Sequence, residues 1–256
     1  MILYFSGTNN SRYIADSLGK ILNESVISIG QSNRDKHYDF ELAPGEHLGI
    51  VCPVHAWNLP LIMHVFLPQM NIKGYKGQYV FGVFTCGAND GNCDRDLNGL
   101  LKKKGITLNA TYAIAMPDNY IPMYDIESPE KQKQVLASAE EQIPAIALRI
   151  KNQENGFNRT DKNPPRFFSS LMGKLSPFGL RTSKEFFVTD DCIGCGICEK
   201  NCPMRTITMV DERPVWKGDC TKCLKCIHYC PVKAIQMNKK TASRGRYHHP
   251  NYPKAD

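Results

Sequence analysis

Eight of the eleven cysteines in this 256-residue chain fall between positions 192 and 230, and their spacing is regular. One run reads Cys192-Ile193-Gly194-Cys195-Gly196-Ile197-Cys198-Glu199-Lys200-Asn201-Cys202-Pro203. The other reads Cys220-Thr221-Lys222-Cys223-Leu224-Lys225-Cys226-Ile227-His228-Tyr229-Cys230-Pro231. Both are C-x2-C-x2-C-x3-C-P. Three thiolates on one tight loop can wrap three irons of an iron–sulfur cubane, whose fourth iron needs a thiolate from elsewhere. A tetrahedral zinc ion needs only four ligands and is oversupplied by two such runs. A disulfide framework belongs to secreted chains, and nothing in the sequence marks export. The proline after each fourth cysteine turns the chain away from the preceding helical turn.

The runs are one unit used twice. Each cysteine of the second run lies 28 positions after its counterpart in the first, as do the prolines, and the offset extends to Asp191 with Asp219, Ile207 with Ile235 and Met209 with Met237. Self-similarity at a fixed period is the mark of a repeated structural unit. Over residues 185–238 the pattern resembles the two-[4Fe–4S] bacterial ferredoxins. In that family the fourth cysteine of each run ligates the other cluster. The resemblance therefore implies Cys192, Cys195, Cys198 and Cys230 around one cluster, and Cys220, Cys223, Cys226 and Cys202 around the second.

Upstream, strand-like runs at 2–5, 25–29, 47–51, 79–85 and 111–116 alternate with helical runs at 11–22, 60–70, 93–104 and 130–152. Ile14, Leu18, Ile21 and Leu22 recur at helical spacing, and Pro144 predicts a kink in the last helix. The alternation predicts an α/β fold with a doubly wound, five-stranded parallel sheet, followed by a small α+β cluster-binding unit. Ligands of such sheets sit beyond the C-terminal strand ends, at the topological switch point.

Three loops lie at those ends. The first, Ser6-Gly7-Thr8-Asn9-Asn10-Ser11, offers hydroxyls, amides and a helix N-terminus, which suits a phosphate. It lacks both the P-loop lysine and G-x-G-x-x-G, which disfavours ATP and NAD. The second is Pro53-Val54-His55-Ala56-Trp57-Asn58. The third, Thr85-Cys86-Gly87-Ala88-Asn89-Asp90-Gly91-Asn92-Cys93, is built of small residues that let backbone approach a ring. The first loop is similar to the flavodoxin pattern S/T-x-T-G-x-T, with Asn9 at the glycine position; Asn tolerates positive φ. This resemblance implies a flavodoxin-like domain holding FMN. Ser6, Thr8, Asn9, Asn10 and Ser11 would take the phosphate. Pro53, Val54, His55, Ala56 and Trp57 would flank the ring, with Trp57 stacked on one face. Cys86, Gly87 and Ala88, together with Asn119 and Tyr120 after the fifth strand, would border the other, more open face. Cys52, Cys86 and Cys93 read as ordinary thiols.

The expected organisation is a flavodoxin-like domain at 1–152, a joint at 153–184 with a short helix at 167–175, the ferredoxin unit at 185–238 and a basic tail at 239–256. Tyr247, His248 and His249 are unusual for a mere tail and are expected to pack across the joint, near the flavin. The phosphate loop, Met116-Pro117-Asp118-Asn119-Tyr120 and Arg246-Tyr247-His248-His249-Pro250 make the whole chain resemble fusion proteins of a flavodoxin-like domain with a two-[4Fe–4S] ferredoxin. The resemblance implies an electron carrier relaying between two clusters, FMN and a redox partner protein. The alternative is an FMN-dependent reductase of a small substrate such as a quinone. Clusters serving only as folding staples would leave the flavin loops without purpose. The net charge of +7 is scattered and reads as solvated lysines or as a docking face for an acidic partner. No nucleic-acid motif is present. No apolar run is long enough for membrane insertion, and a cytoplasmic location is expected.

Overall fold

The computed structural model describes residues 1–160 and 181–253. Its N-terminal part runs β1 (Ile2–Tyr4), α1 (Asn10–Leu22), β2 (Val26–Ser28), α2 (Ile29–Asp35), β3 (Asp39–Glu41), β4 (Leu48–Pro53), α3 (Leu61–Gln69), β5 (Asn71–Lys73), β6 (Val80–Cys86), α4 (Cys93–Lys102), β7 (Ala110–Ala115), α5 (Pro129–Lys151) and β8 (Gly156–Phe157). The main sheet is parallel throughout, in the order β2-β1-β4-β6-β7-β8. Strand order reverses between β1 and β4, so the switch point lies between the loops that follow them. This is the flavodoxin-like arrangement.

Period-two alternation decides which side chains reach which face. Leu3 and Phe5 enter one core with Ile50, Ile62, Phe66, Phe84 and Leu97, under α3 and α4. Ile2 and Tyr4 enter the other with Ile14, Leu18, Phe81, Val83, Ile143 and Ile150, under α1 and α5. Each of the fully buried Ile, Leu and Phe side chains stabilises the fold by roughly 1.5–3 kcal/mol relative to exposure. Cys52, Cys86 and Cys93 are buried, and burial pushes the Cys86 thiol up to about 12, so all three are packing residues as expected.

The sheet has six strands where the sequence predicts five. The sixth, β8, pairs Gly156 with Ala110 and Phe157 with Thr111; two residues are too short to display an alternation. The second strand also ends earlier than 29. Ser28 caps α2 there, its Oγ accepting from the Gln31 N–H at 3.2 Å. The helix anticipated at 167–175 lies outside the described residues.

The C-terminal part runs β9 (Phe187–Val188), α6 (Ile197–Lys200), β10 (Ile207–Val210), β11 (Arg213–Trp216), α7 (Lys225–His228), β12 (Ile235–Gln236) and α8 (Lys239–Ser243). β10 and β11 form a hairpin and β9 pairs antiparallel with β12. The 28-residue repeat is written into the backbone. Gly194 and Lys222 have φ of 66° and 52°, Gly196 and Leu224 have 70° and 58°, and Arg205 and Lys233 both have 53°. Lys222 and Leu224 thus adopt the left-handed turn that glycine supplies in the first copy.

Candidate functional site

Two small cavities lie in the C-terminal part. The first is lined by Cys202, Cys220, Cys223 and Cys226, with Phe186, Trp216 and Leu224. The second is lined by Cys192, Cys195, Cys198 and Cys230, with Ile193, Met209 and Val232. These are the two crossed sets that the ferredoxin resemblance implies. Sulfur atoms that must hold negative charge also receive hydrogen bonds. Thr206 N–H donates to Cys202 Sγ, Lys222 N–H to Cys220 Sγ and Ala234 N–H to Cys230 Sγ, each at 3.3 Å. Burial in an apolar wall pushes the Cys220 thiol up to about 12 and those of Cys198 and Cys223 up to about 11. Four thiolates become affordable in such a wall only against the positive charge of iron. The donor set fits iron–sulfur clusters.

The flavin loops stand where the sequence places them, and Asn9 has φ of 69°, as its glycine-like position requires. Several of their polar groups are engaged by the chain itself, while Asn89 Oδ1 and Asn92 Oδ1 are buried without a hydrogen-bond partner among the described residues. Asn119 Nδ2 donates to Thr8 Oγ1 at 2.7 Å, and the His249 N–H donates to the Thr8 carbonyl at 2.8 Å. Asn9 Nδ2 donates to Tyr229 Oη at 2.8 Å, and Tyr247 Oη donates to Asn10 Oδ1 at 2.6 Å. The Ser11 and Thr85 hydroxyls bond each other at 2.8 Å. Ser6, Thr8, Asn9, Asn10 and Ser11 are all buried. Gly7 faces the Cys223 carbonyl so closely that a Cβ there would overlap it.

In the second loop, His55 Nδ1–H donates to the Thr221 carbonyl at 3.0 Å, and the Ile62 N–H donates to Thr221 Oγ1 at 3.2 Å. Val54 packs on the core beside α3, Pro53 ends β4, Ala56 is exposed, and the Trp57 carbonyl accepts the Asn92 N–H at 2.8 Å. In the third, Cys86 is buried while Gly87 and Ala88 are exposed; Thr160 N–H and Oγ1–H donate to Asp90 Oδ1 at 2.9 and 3.0 Å. Tyr120 packs with Leu224 and Ile227 of the second cysteine run. The residues assigned to FMN therefore do come together, with Tyr247, His249 and the Cys223 carbonyl lying against the first loop.

Residues 191–235 match the 4Fe-4S dicluster domain family. The C-terminal unit is a 4Fe–4S dicluster domain. The Escherichia coli protein YccM, whose name assigns it to electron transport, is 40% identical over 85 residues, 30% of this chain and 22% of that protein. Ferredoxin Fdx2 of Sorangium cellulosum is 37% identical over 59 residues, 20% of this chain and 58% of that protein. The chain thus spans 22% and 58% of these curated relatives. A flavoprotein of Bacteroides uniformis, known from its crystal structure, aligns over 54% of this chain and 96% of its own at 16% identity, with a TM-score of 0.37. Strand order, rather than that distant likeness, defines the N-terminal fold. The chain is a fusion of a flavodoxin-like α/β domain with a 4Fe–4S dicluster domain. No described helix is long and apolar enough to cross a membrane.

The dicluster domain meets the flavodoxin-like domain through residues that cysteine spacing does not single out. His228 Nε2–H donates to the Asn119 carbonyl at 2.9 Å while its Nδ1 accepts the Tyr247 N–H at 3.1 Å, so one neutral tautomer satisfies both. Burial holds this imidazole down at about 4. Asn33 Nδ2 donates to the Pro203 carbonyl at 2.8 Å. Histidine and tyrosine inside a cysteine run, where cluster binding does not need them, were the available signal. The tail packs on α1 of the flavodoxin-like domain: Tyr13 and His249 stack at 4.2 Å, and Tyr252 Oη donates to Asp16 Oδ2 at 2.6 Å.

Proposed function

We propose that this protein carries electrons through two [4Fe–4S] clusters, one on Cys192, Cys195, Cys198 and Cys230 and the other on Cys220, Cys223, Cys226 and Cys202. The observation that carries this reading is the pair of cavities, each lined by one crossed set of four cysteines. Such clusters pass one electron at a time at low potential. The chain's own part is to position the thiolates, exclude water with Phe186, Trp216 and Leu224, and place N–H donors on sulfur.

Electrons enter and leave, in this reading, at the first-run cluster. Cys195 is exposed there, and Ile193 and Val232 are 63% and 37% exposed. The acceptor or donor is a redox partner protein. Exposed Asp191, Glu199, Lys200 and Lys233 flank this port with mixed sign, so the net charge of +7 selects no acidic partner here. The domains we assign are 1–152 and 185–238, joined through 153–184, with a tail at 239–256 whose residues 247–252 lie on the first. Thiolate-held clusters suit a reducing compartment such as the cytoplasm. Relay through FMN, and with it reduction of a quinone or similar substrate at a flavin, is left out of this reading because Tyr247, His249 and the Cys223 carbonyl lie against the phosphate loop.

Anaerobic purification followed by iron and sulfide assay and a reductive titration tests the proposal. About eight irons and two electrons per chain are expected. Bound zinc, or about four irons, would count against it.

A further inference from the structure

The crevice at the switch point is where a flavodoxin-like sheet takes its ligand, and here the chain itself fills it. Two segments do so. The turn between Cys220 and Leu224 lays the Cys223 carbonyl on Gly7 and gives Thr221 to His55 and Ile62. The tail brings Tyr247 and His249, each 2% exposed, onto Asn10 and Thr8. Both segments are locked to one another and to the fifth-strand loop, because His228 holds Asn119 with one ring nitrogen and Tyr247 with the other.

These contacts are specific and not a loose collapse. Each uses a donor and an acceptor of matching kind, and the tail is anchored again further on. There Tyr252 reaches Asp16 and lies under the Arg12 guanidinium at 4.6 Å. A closed loop of hydrogen-bonded, desolvated groups of this sort is expensive to open, since every parted donor or acceptor loses its partner.

We infer that the crevice is the seat of the dicluster domain, occupied by the second cysteine loop and by residues 247–252, and that the full chain takes no flavin there. The flavodoxin-like domain then acts as a docking platform that shields one cluster and leaves the other facing out. This goes beyond the electron-carrier reading and stands or falls separately from it, since iron content and flavin content are measured independently.

The test uses the full chain with its clusters, under anaerobic conditions. FMN is the probe, followed by flavin fluorescence and by retention through desalting. Unquenched FMN with none retained is the expected result; stoichiometric FMN retained alongside the full iron complement would overturn the inference and leave the cluster reading intact. Hydrogen exchange provides the second measurement. The amides of Tyr247 and His249 are expected to exchange as slowly as those of the central strands, and exchange as fast as that of a free tail would overturn the inference. Tyr247→Phe keeps the ring and removes only the bond to Asn10. It should speed exchange over 247–252 about fivefold with iron content unchanged; no acceleration would contradict the seat described.

Discussion

The two cysteine runs share a spacing and a backbone, yet they sit in opposite surroundings. Ile193 is 63% exposed, whereas its counterpart 28 positions on, Thr221, is 4% exposed. Glu199 and Lys200 lie on the surface; their counterparts Ile227 and His228 are 0% and 3% exposed. The first run keeps its glycines, Gly194 and Gly196, both half-buried. The second replaces them with Lys222 and Leu224, both buried. Duplication supplies the cluster geometry, and divergence at the intervening positions turns one copy into an interface and leaves the other as a port. Ligand spacing is therefore silent about direction, while the residues between ligands carry it.

The largest effect that would break this comparison comes from removing one ligand on each side. Cys223→Ser strikes the copy whose loop rests on Gly7 and His55. The chain should lose about half its iron and more than ~4 kcal/mol of stability, read by iron assay and anaerobic denaturation. Cys195→Ser should lose a similar share of iron while the flavodoxin-like domain unfolds at its usual denaturant concentration. Equal destabilisation by both would show that the copies are equivalent.

Acid should attack the buried side first. Burial holds His228 and His249 at about 4, below the usual 6.5, so the unfolded chain binds more protons than the folded one between those values. Stability is therefore full above pH 6.5 and falls as pH drops towards 4. Denaturation at pH 5 and 7.5 checks this, and His228→Gln should flatten the slope. An unchanged slope would remove His228 as a linchpin.

Gly7→Ala sharpens the comparison further. Its methyl would overlap the Cys223 carbonyl, and the domains should separate locally at a cost of about 1–3 kcal/mol, visible as faster removal of iron from the second-run cluster only. The smallest effect is expected on the open side. Ile193→Lys should change stability by less than about 0.5 kcal/mol while slowing electron exchange with a redox partner, measured by stopped flow.

Much of this molecule is legible in its sequence. The crossed cysteine sets line separate cavities, the five anticipated strands all form and share one parallel sheet, and Asn9 adopts the glycine-like conformation its loop needs. Short-range signals sufficed there, because cluster spacing and strand alternation are local. β8 escaped notice since two residues show no period. α2 escaped because Ser28 ends a strand and caps a helix at once. The closing of the flavin loops is of another kind. It depends on groups that meet from more than two hundred positions apart, such as Asn10 with Tyr247, and no local pattern records that meeting. The only hints were residues in excess of their motif, His228 and Tyr229 among the cysteines and the aromatic-basic tail.

The central claim is that two clusters differ in exposure because one is seated in the flavodoxin-like domain. Iron release from the anaerobic full chain into an excess of chelator tests it most directly. The account predicts two phases of about four irons each, with the slow phase lost on Cys223→Ser and the fast phase lost on Cys195→Ser. A single phase for all the iron, or a fast phase that disappears with Cys223, would contradict it.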